Sequence, residues 1–284
     1  VQNNFQSLLR LSANFRALIA IAVICLGLLP LPGYANDEAD LLAAREAFRT
    51  GKTQLLPGYA ERLKGSILLP YVQYWALSAR LKDASADEIR DFMSRNTDSV
   101  LSDKLRGDWL RLLGKNQDWV TFLAEYPLLV KSDVSLQCYA IRGRIAQGET
   151  LALKDGVALW FTGKDLPEAC TPLFEQLIAD KLISHEDIWQ RFRLALASAN
   201  PGVAKSILAY LPKQQQSDAR LVDIVTTRPE RLLDKPNLDL DSRVERELAI
   251  YAIARLARSD ARNAAQRWKA IRADFSESDQ RYVW

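Results

Sequence analysis

Three observations predict an all-α fold, in which short helices pair as hairpins and the hairpins stack into an irregular, curved solenoid. Beyond residue 35, apolar residues recur three and four positions apart along nearly the whole chain. No segment alternates polar and apolar residues as a half-buried strand does. Start and stop signals recur so often that the helices are about 10 to 16 residues long. A helix that short carries one apolar stripe and cannot bury it alone, so hairpins must form and must cover one another.

Residues 1–35 read as a secretory signal. Arg10 and Arg16 form a basic start, Ala17 to Leu31 an apolar run broken by Pro30, and Gly33-Tyr34-Ala35 places small residues at −3 and −1 of a cleavage site after Ala35. The alternative is an uncleaved anchor, but the run of about 13 residues to Pro30 is short of the roughly 18 to 20 that span a bilayer. Cys25 follows Ile24, a poor context for lipid attachment, and is expected to leave with the signal. No stable membrane span is expected after cleavage, and the expected compartment is the periplasm. The domain boundaries that follow are 1–35 for the signal and 36–284 for the helical domain.

Within that domain, Ser85-x-x-Glu88 is the pattern of a capping box. Leu101, Leu105, Trp109 and Leu112 form a stripe that Gly114 is expected to close. Trp119, Phe122, Leu123 and Tyr126 form the next, ended by Pro127. Val134, Cys138, Ile141 and Ile145 form a third, closed by Gly148, with Cys138 on its buried face. Ser184-x-x-Asp187 is a weaker capping box, and Asn200-Pro201 an N-cap followed by proline at the first helical position. Leu196–Asn200 aligns without a gap on Leu256–Asp260, with Ala204 or Ala264 four residues after each cap and Leu208 or Trp268 eight after. Small residues around a tight turn let two helices approach closely, a tetratricopeptide-like solution without the strict tetratricopeptide period. Residues 213–217 and 234–239 read as links between hairpins, and no segment reads as a linker between domains.

The 284 residues are 48% apolar, enough for a large core. The formal charge is +3, and taking Arg10 and Arg16 from the 38 Lys and Arg leaves 36 against 35 Asp and Glu. A balanced surface argues against nucleic acid as a partner. Past the signal, Cys138 and Cys170 are an even pair in an oxidising compartment, which invites a disulfide; two buried thiols that never meet are the alternative. His185 is the only histidine and sits beside the N-cap Ser184, so neither a zinc site nor a Ser-His pair can be assembled, and no glycine-rich phosphate loop is present. No cofactor and no metal site is expected. Seven tryptophans at helical spacing read mostly as core anchors.

The order Cys138-Tyr139, Leu159-Trp160-Phe161-Thr162-Gly163-Lys164, Pro167-Glu168-Ala169-Cys170 and Leu173-Phe174 resembles the superhelical domain of the soluble lytic murein transglycosylases. So do Pro70-Tyr71-Val72-Gln73-Tyr74-Trp75, Asp108-Trp109-Leu110, Asp118-Trp119 and Arg281-Tyr282-Val283-Trp284. The resemblance runs from about Asp40 to Trp284. It implies a U-shaped superhelix and a periplasmic enzyme that cleaves the MurNAc-GlcNAc β-1,4 bond of peptidoglycan, giving 1,6-anhydro-muropeptides by internal attack.

Those enzymes use one glutamate followed by serine. The single Glu-Ser here, Glu277-Ser278, matches the end of the helical domain, and Ser276-x-x-Asp279 places Glu277 in an exposed first turn. The Gly-Leu-Met-Gln stretch is missing too; the one methionine, Met93, lies in a helical stripe. No catalytic residue is therefore assigned, the superhelix is expected to be truncated at Trp284, and the chain by itself is expected to be inactive. The competing expectation is a non-enzymatic periplasmic helical-repeat scaffold that binds protein or peptidoglycan.

Overall fold

A computed structural model describes residues 32–216 and 219–283, and among them the chain is helical, with no strand. Arg10, Arg16, Cys25 and the apolar run up to residue 31 lie outside the described residues. Helix α1 spans Pro32–Arg49, so Ala35 lies in its first turn. The described residues divide into two compact units, with the break between Leu105 and Arg106.

In the first unit α1 packs on α2 (Leu56–Arg62) and α3 (Leu69–Ala79). Ala44, Ala47, Leu56, Leu63 and Val72 form their core, and Phe48 stacks on Trp75 with ring centroids 6.1 Å apart. Both α2 and α3 carry a proline as their second residue, Pro57 and Pro70, where the missing N–H costs nothing in a first turn. Helix α4 (Ala86–Arg95) buries Ile89, Phe92 and Met93. Ser85 caps α4 by accepting from the Glu88 N–H, but the Glu88 carboxylate does not return to the cap: it is taken by the Arg80 guanidinium. The full capping box forms instead at Ser184 and Asp187, the pair with the weaker sequence pattern.

Helix α5 (Val100–Asn116) runs two residues past Gly114, which corrects the expectation that this glycine ends it. The reason is a close approach. A Cβ on Gly114 would lie 2.5 Å from the Tyr139 ring, so the position needs the absence of a side chain, not a left-handed backbone. Gly148 does take the left-handed conformation, at φ +92°, just after its helix, as a terminating glycine should.

The second unit stacks hairpins. Helix α6 (Trp119–Glu125) packs on α7 (Val134–Ala146), α8 (Val157–Trp160) follows a long 3-10 turn at Thr150–Gly156, and α9 is Thr171–Ala179. Helices α10 (His185–Ala197) and α11 (Pro201–Leu208) form one hairpin. Beyond α12 (Ala219–Thr227) and α13 (Pro229–Leu233), α14 (Arg243–Ala257) and α15 (Ala261–Ile271) form another, and α16 is Glu277–Val283.

The internal repeat reflects these last two hairpins. Asn200 caps α11 and Asp260 caps α15, each side chain accepting from the N–H three residues on. Ala204 and Ala264 are buried where the paired helices meet, and Leu208 and Trp268 fill equivalent core positions. Both turns are followed by a helix with a buried alanine four residues past its cap, a small residue that lets the axes come close.

Candidate functional site

The densest arrangement of distinctive residues surrounds Cys138 and Cys170. They are joined as a disulfide, with Cα atoms 5.1 Å apart and a sequence separation of 32. Cys138 lies on the buried face of α7 and Cys170 ends the 3-10 turn Glu168–Cys170 that leads into α9, so the bridge ties two hairpins across the long 3-10 segment. Beside it, Arg142 donates to the Ala169 carbonyl at 3.2 Å.

Trp160, fully buried, is the centre of the block. Its Nε1–H donates to the Asp187 carbonyl at 2.9 Å, and Phe174 and Tyr210 meet it edge-on at 5.2 and 5.5 Å. Three residues on, Gly163 presses against α10: a Cβ there would lie 2.2 Å from the Leu194 carbonyl oxygen. The Trp-Phe-Thr-Gly sequence is thus a packing device that seats a turn on the backbone of a neighbouring helix.

On that helix sits a residue the sequence reading did not single out. Arg191 is only 5% exposed, with its guanidinium 4.4 Å above the Trp160 ring centre and 5.4 Å from that of Phe174. A signal for it did exist: Ile188, Phe192 and Ala195 mark the core face of α10, and Arg191 occupies a position in that same register. It lines a hollow of about 480 Å³ with Asp165, Thr171, Glu175 and Tyr210. Burial pushes the Arg191 guanidinium below its ordinary pKa and the Tyr210 phenol above its own.

A glycosidic general acid needs a carboxyl in surroundings that keep its proton on. Each buried carboxylate of the second unit lies against a cationic side chain instead of in an apolar pocket. Glu125 meets Arg106, Glu245 meets Lys235 at 2.9 Å, and Asp279 meets Arg193 at 2.9 Å. Glu247 lies between Arg193 and Arg243, each 2.7 Å away. Burial works against the charge on Arg193, but its hydrogen bond to Glu247 and the Glu247 and Asp279 charges outweigh that and raise its pKa. Glu277 is exposed at the start of α16, where Ser276 accepts from the Asp279 N–H at 3.2 Å.

The remaining candidates fall as follows. His185 is exposed, Met93 is in the core of its unit, and Trp109, Trp160, Trp189 and Trp268 are buried. Among the described residues no group of three or more His, Cys, Asp or Glu is placed to hold a metal ion, and no helix is long and apolar enough to cross a membrane.

No protein-family model matches the chain. Curated proteins that do match include the soluble lytic murein transglycosylases of Salmonella typhimurium (strain LT2) and Escherichia coli (strain K12). They are each 27% identical, over 212 and 213 residues, covering 74% of this chain and 32% of the relative. Among solved structures, the 70 kDa soluble lytic transglycosylase of Escherichia coli superposes with a TM-score of 0.65 at 22% identity, over 88% of this chain and 41% of that one. An inactive mutant of the lytic transglycosylase Slt from Pseudomonas aeruginosa gives 0.63 at 25% identity, over 90% and 41%. The 70 kDa soluble lytic transglycosylase has also been solved in complex with bulgecin A. This chain therefore has the helical fold of these solved transglycosylases and, while spanning about a third of the length of the curated relatives it matches, resembles the soluble lytic murein transglycosylases.

Proposed function

We propose that residues 36–284 form the helical scaffold of a periplasmic lytic transglycosylase acting on peptidoglycan. The reading rests on one observation above others: the likeness to the transglycosylases extends over most of the chain, while the buried carboxylates of its second unit are engaged by guanidinium or ammonium groups. The part played here is to position the groups that cleave the MurNAc-GlcNAc β-1,4 bond and to restrict how glycan strands reach them. Residues 1–35 direct export and are removed after Ala35.

The test is to incubate the purified chain with sacculi and to measure soluble 1,6-anhydro-muropeptides, alone and with the sugar-cleaving portion of the Escherichia coli relative supplied in trans. The expected result is no product from the chain alone and association with the added portion in sedimentation. Product from the chain alone would overturn the scaffold reading. Failure of the two parts to associate would favour a scaffold outside any transglycosylase, binding protein or peptidoglycan on its own.

A further inference from the structure

A buried guanidinium normally faces a carboxylate or a set of carbonyls, because an unpaired charge away from water is expensive. Arg191 departs from this. Among the described residues it makes no ion pair and no hydrogen bond, its Nε–H is buried without a partner, and its contacts are the flat faces of Trp160 and Phe174. Those rings hold the plane of the guanidinium by cation–π attraction and leave its N–H edges for the hollow that it lines. The hollow, at about 480 Å³, falls within the size range of small-ligand sites.

The other lining groups narrow the ligand. Asp165 and Glu175 contribute two carboxylates; among the described residues neither is within ion-pair distance of a cation, and only the Asp165 charge acts on Arg191, from farther off. Against one guanidinium they leave the hollow net negative, so a bare anion would meet repulsion from two carboxylates while gaining one contact with Arg191. A bare cation would meet Arg191. A ligand carrying both charges satisfies both sides: its carboxylate takes the N–H edges of Arg191 as a charge-assisted pair, and its ammonium lies between Asp165 and Glu175. Thr171 and Tyr210 line the same hollow, and hydroxyl side chains of this kind supply neutral donors and acceptors.

We propose that this hollow is a binding site for a compact zwitterion, an amino acid or a short peptide presenting a free carboxylate and a free amine. The site stands apart from any bond cleavage, and it does not depend on the reading of the chain as a transglycosylase scaffold.

The experiment is a calorimetric and NMR titration of the whole chain at neutral pH with alanyl-alanine as the probe, and with glycine, acetate and methylammonium as comparisons. Saturable binding of alanyl-alanine, about tenfold or more tighter than acetate or methylammonium, is expected. Glycine distinguishes the source: binding as tight as the dipeptide points to free amino acids, weaker binding to peptide ends, and both keep the zwitterion site. Arg191→Met should lose about tenfold or more in affinity while melting no lower than the parent, since it removes an unpaired buried charge. If Arg191→Met fails to fold, the double variant Asp165→Asn, Glu175→Gln carries the test, with a comparable loss of dipeptide affinity expected. No saturable binding of dipeptide or glycine by the parent chain would overturn the proposal. So would acetate binding as tightly as the dipeptide, or undiminished dipeptide affinity in either variant.

Discussion

Gly163 and Gly114 are both required by what lies opposite them, yet the two should tolerate alanine differently. At Gly163 the added methyl meets a helix carbonyl oxygen and carbon, which cannot move without disturbing α10, whereas at Gly114 it meets the Tyr139 ring. Gly163→Ala is expected to cost about 2 to 3 kcal/mol as overpacking against backbone. Gly114→Ala should cost less, because the ring can shift and alanine returns up to about 1 kcal/mol of helix propensity. Urea denaturation of the two variants checks the order.

A second residue-scale test concerns Glu247, whose side chain is 1% exposed between Arg193 and Arg243. Removing it as Glu247→Ala leaves two guanidinium groups facing a vacated buried site, with an expected loss of about 3 to 5 kcal/mol in the same measurement.

Asp133 makes a pH prediction. Partial burial raises its pKa, but the hydrogen bond from the Leu136 N–H and the Arg111 guanidinium outweigh that, so the folded-state pKa lies below the ordinary value. A depressed carboxylate contributes stability that is present above its unfolded pKa of about 3.9 and is lost as pH falls through the folded value. Glu149 behaves likewise through its hydrogen bond to Arg144. Stability should therefore fall below about pH 4, and Asp133→Asn should flatten part of that fall in melts recorded against pH.

At the scale of elements, the disulfide closes the chain between α7 and the start of α9. By the chain-entropy argument a loop of this length contributes roughly 3 to 4 kcal/mol. Melting with and without reductant should show a loss of that order, and the double variant Cys138→Ser, Cys170→Ser should melt like the reduced protein whether or not reductant is present. The two N-caps give a finer test. Ser184 takes part in a reciprocal box with Asp187, whereas Ser85 makes only the forward bond because Arg80 holds Glu88. Each Ser→Ala should cost about 1 kcal/mol, with Ser184→Ala the larger.

At the scale of the whole molecule, export is the prediction to check. Protein recovered from the periplasm of a Gram-negative host should begin at Asn36, and N-terminal sequencing reads this directly. An intact residue 1 in that fraction would overturn the signal reading.

Much of the helical fold was legible in sequence because it depends on local rules. Apolar residues three and four apart, Ser or Asn before a helix and glycine after one act within a turn or two of chain, so the hairpins around Asn200 and Asp260 could be paired before any contact was known. Gly114, Gly163, Glu88 and Arg191 could not be read that way. Each owes its role to a partner brought close only by packing: the Tyr139 ring, the Leu194 carbonyl, the Arg80 guanidinium and the faces of Trp160 and Phe174. Periodicity records which face of a helix is buried, and by itself it determined the helices and their pairing; what is buried against that face is settled by tertiary contacts, and these alone decided where a glycine is indispensable and where a buried charge is left facing an open hollow.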